Sequence, residues 1–214
     1  MEQITITEQL IRLGGAFIRN LEFLPWVLLI GVVFGLLFAL IRFHRIPVLN
    51  FIVMAFVEIM RGAPFLIIVF AVYFALPYMG IQLDAIASGI VVLSMSATAY
   101  LSEIFRGGLM AIDKGQFEAA DALGLTYFQK LRFIILPQMI KISLPSMIGQ
   151  IVLTIKDTSI VSLVGVVEIV RTSRQIMQIT LDPFTAFGIV SIYFAIVCYP
   201  LIYFSQRLER RLQK

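Results

Sequence analysis

Four ionisable residues, Glu58, Arg61, Glu103 and Asp157, stand inside stretches built largely from apolar residues. A charged side chain at the centre of a bilayer costs about 2.5–3.5 kcal/mol, so each must be paired or must hold something that compensates it. Three sets of side chains repeat one spacing. Met54, Glu58 and Arg61 fall at i, i+4 and i+7, as do Ser96, Tyr100 and Glu103, and again Gln150, Thr154 and Asp157. On a helix that spacing puts each trio on one face. Two roles are open to such faces. They can line a shared cavity in which carboxylates and hydroxyls hold a polar ligand, or they can join helices, with Glu58 neutralised by Arg61 and Glu103 by Arg106 at i, i+3. Glu103, near the end of its stretch, fits the second role; Glu58 and Asp157 fit the first. Metal and thiol chemistry are unsupported: the single cysteine, Cys198, lies in the apolar run SIYFAIVCYP, and the single histidine, His44, lies in the basic patch RFHR and is given no role. No catalytic residue and no metal ligand is assigned.

The elements that carry these faces follow from composition. Of 214 residues 60% are hydrophobic and 14% charged, against roughly half and a quarter in soluble domains. No water-soluble fold hides that surface, and no linker divides the chain, so residues 1–214 form one transmembrane domain. The N-terminal MEQITITEQLIRLGG has no signal-peptide pattern and is expected to stay on the mature protein. A spanning helix needs about 20 mainly apolar residues. Five segments qualify, at about Leu21–Phe43, Leu49–Tyr78, Leu83–Ile104, Phe133–Ile155 and Phe184–Phe204. Backbone polar groups in lipid must bond internally. The expected fold is an all-α polytopic membrane protein with five transmembrane helices.

The second segment is interrupted by Arg61-Gly62-Ala63-Pro64, which predicts a broken or kinked helix. Residues 1–20 carry Leu10, Leu13, Phe17 and Ile18 near helical spacing and are expected to lie along the outer surface as an amphipathic helix. With five spans the termini lie on opposite sides. A cytoplasmic C-terminus places Arg42, Arg45, Arg106, Lys114, Lys130, Arg132, Lys141, Arg207, Arg210, Arg211 and Lys214 inside, against Arg12, Arg19, Lys156, Arg171 and Arg174 outside. The positive-inside bias therefore predicts N-terminus out and C-terminus in, in the cell membrane.

The one long polar stretch is the loop at 106–132. Within it Gln116 to Leu123 reads as a short amphipathic helix, with Phe117, Ala120 and Leu123 on one face and Gly124 as its stop. So short a helix cannot stand alone in water. A knob exposing Phe117, Leu125 and Tyr127 is expected to dock into a groove on another protein.

Glu118-Ala119-Ala120, then Gly124, then Ile135-Leu136-Pro137, resembles the EAA loop of ATP-binding-cassette importer permeases, whose coupling helix seats in the nucleotide-binding subunit. Phe56-Val-Glu58-Ile-Met-Arg61-Gly-Ala63-Pro64 is similar to the F-x-E-x-x-R-G-T-P segment of the polar amino-acid uptake branch, with Ala63 in place of Thr. Ala99-Tyr100-Leu-Ser-Glu103-Ile-Phe-Arg106-Gly-Gly108 resembles its A-Y-x-x-E-x-x-R-G-G stretch, and Lys156-Asp157-Thr158-Ser159 its K-[DN]-[TS]-S segment. The resemblance covers nearly the whole chain.

It implies a type I importer permease that moves polar amino acids by alternating access. The implied partners are two ATPase subunits, a second permease subunit, identical or a sister, an extracytoplasmic substrate-binding protein, the amino acid and the bilayer; no nucleic acid is expected. The chain has no Gly-Lys pair and so no phosphate-binding loop of the Walker type; ATP and Mg belong to the partner subunits, this chain binds no cofactor, and it is not itself an enzyme. Phe117, Glu118, Ala119, Ala120, Gly124 and Leu125 are the expected coupling residues. Ala119 and Ala120 would permit close packing, and Glu118 and Asp121 would suit the helix. Met54, Glu58, Arg61, Ser96, Tyr100, Gln150, Thr154 and Asp157 are the expected substrate residues, and the carboxylates Glu58 and Asp157 extend the expectation to basic amino acids. The competing readings are a secondary transporter or channel component that needs no ATPase, for which no internal duplication is found, and a membrane scaffold.

Overall fold

The computed structural model describes residues 4–212, and among them every regular element is helical. Helix α1 (Ile6–Glu22) opens on a capping box: Glu8 N donates to Thr5 Oγ1 and Thr5 N to Glu8 Oε2, each at 3.3 Å. A single residue, Phe23, joins it to α2 (Leu24–Phe43), so residues 6–43 form a run of 38 residues. Helix α1 is joined to the bundle. The apolar stripe of α1, Leu13, Ala16 and Phe17, packs on Ile176 and on Ala186, Ile189 and Val190 of two helices near the other end of the chain. Phe17 also meets Phe194 edge-on, with centroids 5.2 Å apart. An amphipathic stripe suits lipid or protein equally, and helices more than 150 residues away in sequence supply the protein. Residues 1–3 lie outside the described residues.

The bundle is organised around α5 (Ala85–Met110), which packs against α2, α3, α4 and α8. Its closest neighbour is α2, which turns a stripe of small buried residues, Gly31, Gly35 and Ala39, toward it. A Cβ on Gly31 would lie 2.9 Å from the Ala97 Cβ, and one on Gly35 would lie 3.0 Å from the Leu101 Cβ. The backbones meet because nothing stands between them, a common way of joining helices in lipid, where no hydrophobic drive operates. The opposite faces present Trp26, Leu29, Val33, Phe34 and Leu37, and on α10 (Pro183–Leu212) Ile192, Ile196, Tyr199 and Tyr203, all exposed. A hydrocarbon solvent accounts for that exposure.

The second expected span is two helices, α3 (Leu49–Gly62) and α4 (Phe65–Tyr78), with axes bent by 115°. Each has 14 residues, about 21 Å at 1.5 Å per residue, too short to cross alone. Ala63, extended at φ −87° and ψ 147°, precedes Pro64, as the clash of a proline ring with a preceding helical residue requires. The interruption is therefore a corner, sharper than a kink.

Asp84 caps α5, its Oδ1 accepting from Ala87 N at 2.6 Å, and the helix continues six residues past the expected end at Ile104. The loop then folds as α6 (Lys114–Ala122), α7 (Tyr127–Lys130) and a π-helical turn over Leu131–Ile135 that leads into α8 (Leu136–Asp157). The widened turn falls just before Pro137, where the hydrogen-bond ladder is broken in any case. After α8 a 3₁₀ turn, Ile160–Val164, and Gly165 at φ 103° reverse the chain into α9 (Ile169–Thr180). No expected span included α9; its buried Ile169, Ser173 and Ile176 at i, i+4 and i+7 are the signal that marks it.

Candidate functional site

At the cytoplasmic end of the expected topology, Glu103 of α5 gathers three guanidinium groups. Arg106 Nη2 and Nε donate to it at 2.8 and 3.1 Å, one turn along the same helix. Arg42, in the last turn of α2, forms a second ion pair. Arg61, in the last turn of α3, places Nη1 3.6 Å from Glu103 Oε2 and its guanidinium 5.7 Å from the centroid of the Tyr100 ring. The Glu103–Arg106 pair forms as its spacing suggests. The Glu58–Arg61 pair does not: no ion pair joins them among the described residues, and Arg61 reaches past the end of α3 to α5 instead. A cation at a helix C-terminus is favoured by the helix dipole, and the half-buried Glu103 carboxylate is the better partner. The Arg61 side chain is 39% exposed in the single chain.

These contacts bring the first two polar faces together at Arg61, Tyr100 and Glu103. Met54 and Glu58 are exposed and Ser96 is buried. The third face behaves differently. Gln150 and Thr154 are buried on α8 and satisfy one another, with Thr154 Oγ1 donating to Gln150 O at 2.9 Å and Gln150 Nε2 donating to Thr154 Oγ1 at 3.4 Å. That is internal joinery. Asp157, at the end of α8, is half-buried and has no hydrogen-bond or ion-pair partner among the described residues. No hydrogen bond ties this face to the other two.

The polar loop is built into a platform. Asp113 Oδ1 caps α6 by accepting from Gly115 N at 2.7 Å. Gly124, at φ 69°, provides the left-handed stop that glycine adopts without strain, and lets Leu125 N reach Ala120 O at 3.2 Å. Thr126 and Gln129 form a second capping box at α7, Lys130 pairs with Asp121, and Gln138 Nε2 donates to Gln116 Oε1 at 3.1 Å. Phe117 stacks on Phe43 at 6.2 Å, and Ala120 is fully buried. His44 Nε2 lies 2.7 Å from Tyr127 Oη.

The three residues of the expected knob are divided: Phe117 and Leu125 are half-buried, while Tyr127 is 45% exposed. Phe117 packs against the bundle core, and Tyr127 is tied to His44, which has a role after all. The outward surface carries Glu118, Ala119, Leu123 and Phe128, the last two 75% and 79% exposed. The expected face of Phe117, Ala120 and Leu123 is split: Phe117 and Ala120 look inward, while Leu123, past the end of α6, looks out. A cavity of about 600 Å³ remains beneath the platform, lined by Leu40, Phe43, Leu109, Phe117 and Leu131 among others.

At the far end of the bundle a second polar cluster, absent from the sequence reading, closes the molecule. Asn20 Nδ2 donates to Thr158 Oγ1 at 2.9 Å and to Glu168 Oε2 at 3.0 Å, while Asn20 Oδ1 accepts from Ile169 N at 3.1 Å. Glu168 caps α9, accepting from Arg171 N at 2.8 Å. It has no exposed surface. Burial pushes its carboxyl above the ordinary range, against the opposing pull of the Val170 and Arg171 N–H groups and the Asn20 amide.

Comparison with known proteins places this arrangement. Residues 31–214 match the family of binding-protein-dependent transport system inner membrane components. The chain is 36% identical over 187 residues, 86% of each sequence, to the probable glutamine ABC transporter permease protein GlnP of Bacillus subtilis. It is 32% identical over 185 residues, 86% of this chain and 84% of the relative, to the glutamine transport system permease protein GlnP of Escherichia coli. Its backbone is similar to that in the crystal structure of an amino acid ABC transporter with histidines, at TM-score 0.84, 29% identity and 94% coverage of both chains. The inward-facing MetNI methionine ABC transporter shares the fold, at TM-score 0.77 and 20% identity, with 94% of this chain and 96% of that one covered.

Proposed function

The chain belongs to the family of binding-protein-dependent transport system inner membrane components, the multi-pass membrane subunits of ABC importers, and from that premise we propose that its cargo is a polar amino acid. Membership makes it a transport subunit that works with ATPase and permease partners, not an enzyme, and sets aside the reading of a transporter or channel independent of an ATPase. The observation that carries the reading is the platform of α6 and α7. It is continuous with α5 on one side and α8 on the other, and it offers Glu118, Ala119, Leu123 and Phe128 to a partner. A displacement of the platform moves α5 and α8 together, which is what ATP-driven alternating access requires.

In this reading an ATPase subunit docks on the platform of each of two permeases, holding ATP and Mg outside this chain, and a binding protein delivers the amino acid from the opposite side. The platform faces the cytoplasm, with the C-terminus inside and the N-terminus outside, and the whole chain is one domain. Asp157 and Glu58 are the candidate cargo ligands. Neither lines the cavity beneath the platform or those at the α1–α9 and α8–α10 grooves; in this reading the binding site is completed at the contact between two permeases. Glutamine, named for two relatives, and the basic amino acids favoured by the free Asp157 carboxylate are the substrates to compare.

The test is reconstitution in liposomes with the partner ATPase and binding protein, following uptake of labelled glutamine and arginine. ATP-dependent uptake is expected. Uptake that runs on an ion gradient without the ATPase would overturn the reading, and unchanged uptake of both amino acids by an Asp157→Asn, Glu58→Gln variant would overturn the assignment of the cargo ligands.

A further inference from the structure

We infer that Glu103 is the positioning residue that transmits movement of the platform to the helix corner at Ala63–Pro64, through its ion pair with Arg61. The inference rests on the proposed function and names the contact by which the coupling stroke reaches the translocation path.

The geometry supplies both ends of the connection. Glu103 stands two turns before Met110, where α5 ends, and Asp113, three residues on, caps α6. A displacement of α6 therefore enters α5 as a rigid rod. Arg61 stands in the last turn of α3, immediately before the extended Ala63 and the 115° bend. Extended residues at a corner are where a hinge absorbs changes in φ and ψ. Beyond the corner α4 buries Ile68 and Val69 against α5 and packs on the 3₁₀ turn that follows Asp157. The corner thus joins the ion-pair cluster to the turn that follows the candidate cargo ligand.

The three pairs at Glu103 are unequal, and that inequality points to a role for Arg61. Arg106 binds with two nitrogens on the same helix, and Arg42 ties α2 to α5, whose backbones are already in contact. Arg61 makes one long contact at 3.6 Å from a more exposed side chain, across a less intimate junction. It is the contact of the three that a conformational change can break and remake. Glu103 keeps two cations when Arg61 is removed, so an Arg61→Ala variant retains the fold.

The test uses the assembled transporter in liposomes. Spin labels at the exposed Ile67 of α4 and Met110 of α5 report the α4–α5 distance with and without ATP, in the absence of amino acid, so that a contact of Arg61 with cargo cannot affect the reading. The unaltered protein is expected to show a nucleotide-dependent shift. Arg61→Ala and Glu103→Gln are expected to lose it and to raise the ATP hydrolysed per amino acid imported about tenfold, inside the usual range of coupling between sites. Arg61→Lys, which keeps a cation, is expected to recover most of both. A full shift and a normal ratio in Arg61→Ala would overturn the relay while leaving ATP-driven import standing. Absence of ATP-dependent uptake in the unaltered protein would overturn the proposed function and the relay together.

Discussion

The two ends of the bundle are held by different chemistry. At the platform end the contacts are ionic or exposed: Glu103 with Arg42, Arg61 and Arg106, Lys130 with Asp121, and His44 with Tyr127. At the other end Asn20, Thr158 and Glu168 form a fully buried network, whose hydrogen bonds come from amide and backbone groups rather than from a guanidinium. Of the platform contacts the Lys130–Asp121 and His44–Tyr127 pairs are exposed, and exposed pairs contribute little and exchange readily with water, whereas a buried polar network is costly to open because its groups lose partners without gaining water. One end is suited to moving. The other fixes α1, α8 and α9 to each other while it does.

Four changes would break or sharpen that contrast. The largest effect is expected from Gly35→Leu, because both ends depend on the spacing of α2 and α5 and its Cβ already falls 3.0 Å from the Leu101 Cβ. Forcing the helices apart is expected to cost about 3 kcal/mol or more, seen as loss of folded protein from detergent extracts. Next, Leu123→Asp with Phe128→Asp alters only the exposed platform face. Removing two apolar anchors is expected to weaken ATPase association about 100-fold, near 3 kcal/mol, in a pull-down or titration with the thermal midpoint unchanged.

Asn20→Ala is expected to cost about 2–3 kcal/mol by leaving Glu168 and the Ile169 N–H short of partners; a thermal unfolding series measures it. A cost below that of removing the Lys130–Asp121 pair would refute the contrast between the two ends.

The smallest effect is a pH dependence. Burial raises the Glu168 carboxyl above its ordinary value of 4.5, so the folded state holds its proton more tightly than the unfolded chain does. Its contribution to stability is complete in acid, below the ordinary value, and is lost as the pH rises through the raised one. Glu168→Gln is expected to flatten that part of the stability profile, as followed by thermal melts across pH.

The short helix of the polar loop was legible because its signals are local. The 117/120 spacing and Gly124 as a stop each act within a few residues and appear in place, whereas the Asp113 cap went unread and Leu123 departs from the expected face. The break at Pro64 was legible for the same reason, since a proline constrains its own neighbours. The apolar runs likewise announced the spans, although capping and helix continuation past the lipid boundary, as in α5 and α10, shifted their ends. The EAA-like loop and the three other motifs carried the family, which comparison then showed.

What local signals cannot carry is direction and distance. The sequence determined an all-helical membrane bundle, a broken second segment and a short amphipathic helix in the polar loop, because apolar periodicity, proline and a glycine stop are properties of neighbouring residues. Only the tertiary structure decided that Phe117 faces the bundle and Leu123 and Phe128 face out, that α1 packs on α9 and α10, and that Arg61 leaves Glu58 for Glu103. Each of these depends on contacts between segments distant in sequence, of which Asn20 and Glu168, 148 residues apart, are the clearest case. No local pattern encodes a partner that only folding brings within reach.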